Sequence, residues 1–127
     1  MKAILTQSAP QPIGPYSQAI EVNGMIFCSG QNPLDPVSGH LAAKDIEGQT
    51  HQVMRNINAV LAAAGATLAN VVKVTIFLQS MHDFPKVNEV YSQYITNAKS
   101  IPPARSTVEV SRLPKDVMVE IEVLAIK

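Results

Sequence analysis

An arginine, a threonine and two glutamates alternate with valine, isoleucine and alanine near the C-terminus, in a pattern suited to hydrolysis of a small carboxylate-bearing molecule. Arg105 and Thr107 lie two residues apart in one run, and Glu120 and Glu122 lie two residues apart in the next. The guanidinium group of arginine is a planar fork that matches a carboxylate. A partly buried glutamate has a raised pKa and can act as a general base without a cofactor.

Both runs alternate with period two and are rich in β-branched residues, which predicts two strands. The link over residues 111–116 is short enough for an antiparallel hairpin. Symmetric pairing about it sets Arg105 opposite Glu122 and Thr107 opposite Glu120. Arg105 and Glu120 then lie on a diagonal of one sheet face, within reach of each other. The alternative is a solvated surface ion pair, worth about 0–1 kcal/mol.

A second polar set lies near the N-terminus. Asn23 and Gly24 form a strong hairpin signal, because both residue types tolerate positive φ. Pairing about this turn places Tyr16 and Ser29 on one face, unless Gly30 marks a β-bulge. A phenol and a hydroxyl could orient a small polar ligand or a water molecule there.

Two helices are predicted between the strands. Asp45 is a candidate N-cap for a helix that runs to Ala64, and Asp83 for a second helix that ends before the prolines at 102 and 103. The apolar stripe of the second helix consists of Phe84, Val87, Tyr91, Tyr94 and Ile95. Asn88 lies at the edge of that stripe, where its amide could reach a ligand.

The order of elements predicts an α+β fold in a single domain over residues 1–127, with one mainly antiparallel sheet and two helices on one face. Two helices cannot also cover the second face of the sheet. That face carries Met118, Leu124 and Ile126 beside the glutamates. A symmetric homo-oligomer is the expected way to cover it.

Composition narrows the function classes. Ten basic and ten acidic side chains give a formal net charge of zero, and no basic stripe occurs, which disfavours nucleic acid and anionic membranes as partners. Cys28 is the only cysteine, so no intrachain disulfide can form. Without a signal peptide or a spanning segment, a cytoplasmic protein is expected. The scattered histidines at 40, 51 and 82 show no metal-ligand spacing, and no phosphate-loop or nucleophile-elbow motif occurs, so neither a metal nor a cofactor is expected.

Four segments resemble the RidA family of enamine and imine deaminases. They are IGPYSQA at 13–19, CSGQ at 28–31, the stretch around Asn88 at 83–91, and PARSTVEVSRLPKDVMVEIE at 103–122. The resemblance covers nearly the whole chain. It implies a chorismate-mutase-like fold with a ferredoxin-like βαβ arrangement, and a homotrimer whose active sites lie between subunits.

The resemblance also implies a reaction, the hydrolysis of 2-iminobutanoate and 2-iminopropanoate to 2-keto acids and ammonia. By analogy, Arg105 would grip the substrate carboxylate and Glu120 would deprotonate the attacking water. The residues that would line the cleft are Tyr16, Ser29, Asn88, Thr107 and the backbone at Gly30. Many members of the family have cysteine where this chain has Thr107.

Two other functions remain open on the sequence. The first is a regulatory trimer that binds a small carboxylate without turnover. The second is the endoribonuclease or translation-inhibitor activity of some relatives of the family. Zero net charge and the lack of an aromatic stacking platform argue against RNA.

Overall fold

The computed structural model describes all 127 residues and forms one six-stranded sheet with two helices. The strands are β1 (Lys2–Ile4), β2 (Ala19–Val22), β3 (Met25–Gln31), β4 (Val71–Leu78), β5 (Ala104–Glu109) and β6 (Val119–Ile126), and the helices are α1 (Ile46–Ala63) and α2 (Phe84–Ala98). The strand order is β1-β2-β3-β6-β4-β5. Only β4 and β5 are parallel, so the prediction of an α+β fold with a mainly antiparallel sheet is confirmed.

Local signals in the sequence set the β2–β3 turn and the ends of α1 as predicted, whereas Asp83 precedes α2 but its side chain accepts no capping hydrogen bond. Asp45 caps α1 by accepting a hydrogen bond from the backbone N–H of Gly48. Gly65, with φ 76°, follows the end of that helix. Asn23 and Gly24 take φ values of 51° and 76° in the β2–β3 turn, a conformation that few other residues accept without strain.

The two helices pack against each other and against one face of the sheet. On β6 the buried residues are Val119, Ile121, Val123 and Ala125, which join residues of both helices in a single core cluster. The side chains between them on β6 therefore point to the opposite face. Neither α1 nor α2 combines the length and apolarity needed to cross a membrane.

The opposite sheet face is uncovered and partly apolar. Phe27, Val108 and Ile126 expose 46%, 42% and 46% of their surface there, and Leu124 is half-buried. Met118 differs from the prediction, because it packs against the core cluster rather than lying on this face. An apolar patch of this kind on a small domain marks an interaction surface.

The predicted hairpin of the last two strands is wrong. β5 pairs in parallel with β4, and β6 pairs with the other edge of β4, so that β4 separates the two strands. The physical reason is the βαβ unit formed by β4, α2 and β5, since a helical crossover returns the chain parallel to the strand that it left. On its helix-covered face β4 buries Val71, Val74, Ile76 and Leu78, which favours a central position.

This topology separates the two residues on which the predicted site depended. Arg105 lies beside Val74, which in turn lies beside the core residue Val123, so Arg105 points to the helix-covered face. Glu120 lies beside Phe77 and points to the uncovered face. Within one chain, Arg105 and Glu120 are therefore on opposite sides of the sheet.

Candidate functional site

Glu120 opens onto a cleft of about 610 Å³, here called the Glu120 cleft. Its polar wall includes Tyr16, Ser29, Gly30, Gln31, Lys115, Glu120 and Glu122. Tyr16 comes from the proline-rich connector before β2, and Lys115 comes from the turn between β5 and β6. The fold thus gathers residues that are about a hundred positions apart in the sequence into one cavity.

A β-bulge shapes the floor of the Glu120 cleft. The pairing of β3 with β6 shifts register between Cys28 and Gln31, which leaves Ser29 and Gly30 outside the regular ladder. Two hydrogen bonds to the residues just before β2 hold Ser29 in place. Its hydroxyl donates to the carbonyl of Ser17 at 2.6 Å, and its backbone N–H donates to the carbonyl of Gln18 at 2.9 Å. The bulge that Gly30 signalled in the sequence is confirmed.

Gly30 permits an unusually close approach of the Glu120 carboxylate to the backbone. A methyl group added at Gly30 would lie 2.5 Å from Oε2 and 2.8 Å from Cδ of Glu120. Both distances are far inside van der Waals contact, so any side chain at this position must displace the carboxylate. Gly30 therefore sets where the carboxylate of Glu120 can rest.

The surroundings of Glu120 favour its protonated form more than water does. Burial is the main cause of its raised pKa, and the negative charge of Glu122, two residues away on the same face of β6, adds to it. No lysine or arginine forms an ion pair with Glu120; the chain's ion pairs are Arg112 with Asp116 and Lys127 with Glu21. A carboxylate with a raised pKa has the proton affinity that a general base needs.

Arg105 lies in a separate and smaller cavity, the Arg105 pocket, of about 390 Å³. It is lined by Tyr91, Ser92, Ile95, Thr96, Pro102, Pro103 and Arg105. Nη1 of Arg105 donates to Oδ1 of Asn88 at 2.7 Å. No carboxylate of the chain pairs with this guanidinium, which leaves most of its N–H donors free for a ligand.

Thr107 lines neither cavity. It follows Arg105 on the same face of β5, but its hydroxyl is buried and has no hydrogen-bond partner. A hydroxyl in that state costs stability rather than adding to it. The histidines also take no part in either cavity: Nδ1 of His51 lies 2.9 Å from the hydroxyl of Tyr94 on the helices, and His40 and His82 lie outside both linings.

The predicted site residues therefore divide into two groups. Tyr16, Ser29, Gly30 and Glu120 meet in the Glu120 cleft, whereas Asn88 is hydrogen-bonded to Arg105, which lines the Arg105 pocket. The sequence interpretation missed the local roles of three residues. Phe84 and Tyr91 were assigned only to a core stripe, although their spacing from Asn88 places all three on one helix face. No pattern in the sequence indicates that Lys115 lines the Glu120 cleft.

Comparisons with known proteins agree over nearly the full length of the chain. A family model described as endoribonuclease L-PSP matches residues 6–127. A RutC family protein of Pyrococcus horikoshii is 53% identical over 126 residues, which cover 99% of this chain and 98% of that protein. The 2-iminobutanoate/2-iminopropanoate deaminase of Escherichia coli is 43% identical over 126 residues, with the same coverage of 99% and 98%. The crystal structure of E. coli TdcF with bound serine superposes with a TM-score of 0.96 at 40% identity, covering 100% of this chain and 99% of that one.

Proposed function

The chain belongs to the RidA family, whose family model is described as endoribonuclease L-PSP, and from this premise we propose that it hydrolyses 2-imino acids to 2-keto acids and ammonia. The observation that carries the proposal is the Glu120 carboxylate, which lies against Gly30 in a cleft and has a raised pKa. Such a group, once deprotonated, can accept a proton from water. The relative that binds serine supports a small ligand with a carboxylate next to a nitrogen-bearing carbon.

In the proposed reaction, Glu120 activates the water that attacks the iminium carbon. The water oxygen forms a bond to that carbon while Glu120 takes one of the water protons, which gives a carbinolamine. Glu120 then returns the proton to the amino nitrogen. The C–N bond breaks as the carbonyl forms, and the hydroxyl proton leaves with ammonia as ammonium. An iminium carbon is already electrophilic, so a single positioned general base is sufficient. Such a base typically accelerates a reaction by about 10²–10⁴-fold.

Arg105 is proposed to hold the carboxylate of a substrate that lies in the Glu120 cleft of another copy of the chain. The two residues point to opposite faces of one sheet, so a complete site needs two subunits. A homotrimer supplies this arrangement, because in a closed ring the β5 edge of one subunit can meet the uncovered face of the next. The exposed Phe27, Val108 and Ile126 support such a contact.

The test of the function is the decay of a transient imine. A threonine dehydratase generates 2-iminobutanoate, and the imine signal is followed with and without the purified protein. We expect the imine to disappear faster in proportion to the protein added. The proposal fails if the wild-type protein leaves the decay rate at its value in buffer.

Replacing Gly30 tests whether the position of the carboxylate matters. Gly30→Ala should lower kcat/KM for 2-iminobutanoate by about 10²-fold, because a displacement of the catalytic group by about 1 Å has that cost. The fold should survive, since φ at Gly30 is open to alanine and the clash is with the end of a flexible side chain. The melting temperature checks this point.

Gly24→Ala is the matched control. Gly24 has φ 76° and nothing within 4 Å of the added methyl group, so alanine there should lower stability and leave kcat/KM unchanged. The opposite pattern, with Gly30→Ala fully active, would show that the close approach of Glu120 to the backbone has no part in the reaction.

A further inference from the structure

The guanidinium group of Arg105 contacts two aromatic rings of α2. Its Cζ is 5.3 Å from the ring centroid of Phe84 and 5.1 Å from that of Tyr91. Both distances lie within the about 6 Å over which a cation and an aromatic ring attract each other, so the guanidinium contacts both rings although the two residues are seven positions apart on the helix.

Asn88 completes this arrangement from the same helix face. It lies four residues after Phe84 and three before Tyr91, which are the spacings that bring side chains together on a helix. Its Oδ1 accepts one N–H of Arg105 at 2.7 Å. Of the five N–H donors of arginine, those not directed at Asn88 remain for a planar acceptor.

Phe84 and Tyr91 also differ in their surroundings. Tyr91 is almost fully buried in the core cluster, whereas Phe84 is half-buried and only packs against it. The alternative to a role in binding is that both rings only fill space between α2 and the sheet. Packing alone does not require a cation beside them, because a buried aliphatic side chain would pack equally well.

We propose that Phe84 and Tyr91 form an aromatic clamp that fixes the orientation of Arg105 for the carboxylate of the substrate. Both are positioning residues, since they act through Arg105 and not on the reacting atoms. A guanidinium with aromatic rings beside it loses less rotational freedom when a carboxylate binds, and the attraction between cation and ring compensates for its partial burial. The inference rests on the proposed function, because it assigns the ligand of Arg105 to that reaction.

The clamp predicts an effect on binding more than on chemistry. Phe84→Leu and Tyr91→Leu should each raise KM for 2-iminobutanoate, and Kd for 2-ketobutyrate by calorimetry, about 3- to 30-fold, the range expected for loss of one cation–π contact. In both variants kcat should change less than about twofold, because Glu120 is untouched. Tyr91→Phe keeps the ring, so it should raise KM and Kd less than Tyr91→Leu does.

Tyr94→Leu is the matched control for the cost of losing a tyrosine on this helix. Tyr94 also packs against the core cluster, but its hydroxyl contacts His51 of α1, and no contact with Arg105 is found. This variant should lose stability and keep KM and Kd. All variants are assayed below their melting temperatures, as judged by circular dichroism.

A measurement on the wild-type protein does not depend on how any variant folds. The side-chain N–H protons of Arg105 should resonate upfield of those of the exposed Arg55, which forms no ion pair, because the rings shield protons that lie over their faces. Arg105 protons at the random-coil position would overturn the clamp, as would folded leucine variants with wild-type KM and Kd. If the wild-type protein itself neither binds 2-ketobutyrate nor accelerates imine decay, the proposed function fails and the assigned ligand fails with it.

Discussion

Glu120→Gln should lower kcat for 2-imino acid hydrolysis by about 10²-fold or more while leaving the affinity for 2-ketobutyrate near that of the wild type. The amide has the size of the carboxylate and keeps much of its hydrogen bonding, but it cannot take a proton from water. Loss of rate without loss of binding is therefore the signature of a general base. The coupled dehydratase assay gives the rate, and calorimetric titration gives the affinity.

The pH dependence of imine hydrolysis by the wild-type protein should agree with this proposed role. Glu120 must be deprotonated to act as a base, so kcat should fall as the pH drops through its pKa. Because burial and Glu122 raise that pKa, the fall should occur at a pH above the ordinary glutamate value of 4.5. Glu122→Gln removes the second cause and should move the acidic limb of the profile to lower pH.

The same pKa fixes the sign of the effect on stability. A carboxyl group whose pKa is raised by folding favours the folded state when protonated, and this contribution is lost as the pH rises through the folded-state pKa. At neutral pH the charged Glu120 therefore costs stability, and Glu120→Gln should melt no earlier than the wild type. An inactive variant with an unchanged or higher melting temperature cannot be explained by misfolding.

Other outcomes would reassign the residue. Wild-type turnover by Glu120→Gln would mean that Glu120 is not the base and that water is activated by the backbone or by the substrate. Loss of keto acid binding in this variant would mean that the carboxylate holds the ligand or its partner groups in place, which is a structural role.

Local features of the fold could be predicted from the sequence because they depend on neighbouring residues. Asp45 at the start of α1, the Asn23–Gly24 turn and the bulge at Gly30 were all identified from residue types and their spacing. The pairing of β5 could not be predicted in this way. Alternation along residues 104–109 shows that a strand forms, but not which edge it joins, and the crossover through α2 decided that question.

The candidate site shows the same limit. Arg105 and Glu120 were identified as reactive types, yet the face on which each lies follows from strand order, which a local pattern does not contain. The distance between Gly30 and the Glu120 carboxylate is likewise a contact between distant parts of the chain. Sequence reasoning thus predicted candidate residue types but not their arrangement, and the arrangement is the reason why a site shared between subunits is proposed.

Subunit mixing tests whether one site draws Arg105 and Glu120 from different copies of the chain. Arg105→Ala and Glu120→Gln proteins should each be nearly inactive as pure oligomers. In a randomly mixed 1:1 oligomer, a site between subunits has an intact Arg105 half of the time and an intact Glu120 half of the time. The mixture should therefore recover about a quarter of the wild-type activity, as expected for independent neighbours in a ring.

The matched control places both substitutions in the same chain. Wild-type subunits mixed 1:1 with the Arg105→Ala/Glu120→Gln double variant should give about a quarter of the wild-type activity if the site is shared, and about half if each site lies within one chain. Co-expression or refolding of the mixture allows subunits to exchange. Sedimentation should give about three times the chain mass of 13.7 kDa for every sample.

No recovery from the single variants, together with half activity in the control, would place a complete site within one subunit and contradict the separation of Arg105 and Glu120 by the sheet. A monomeric wild-type protein with full activity would contradict it equally, because the Arg105 of a single chain cannot reach its own Glu120 cleft.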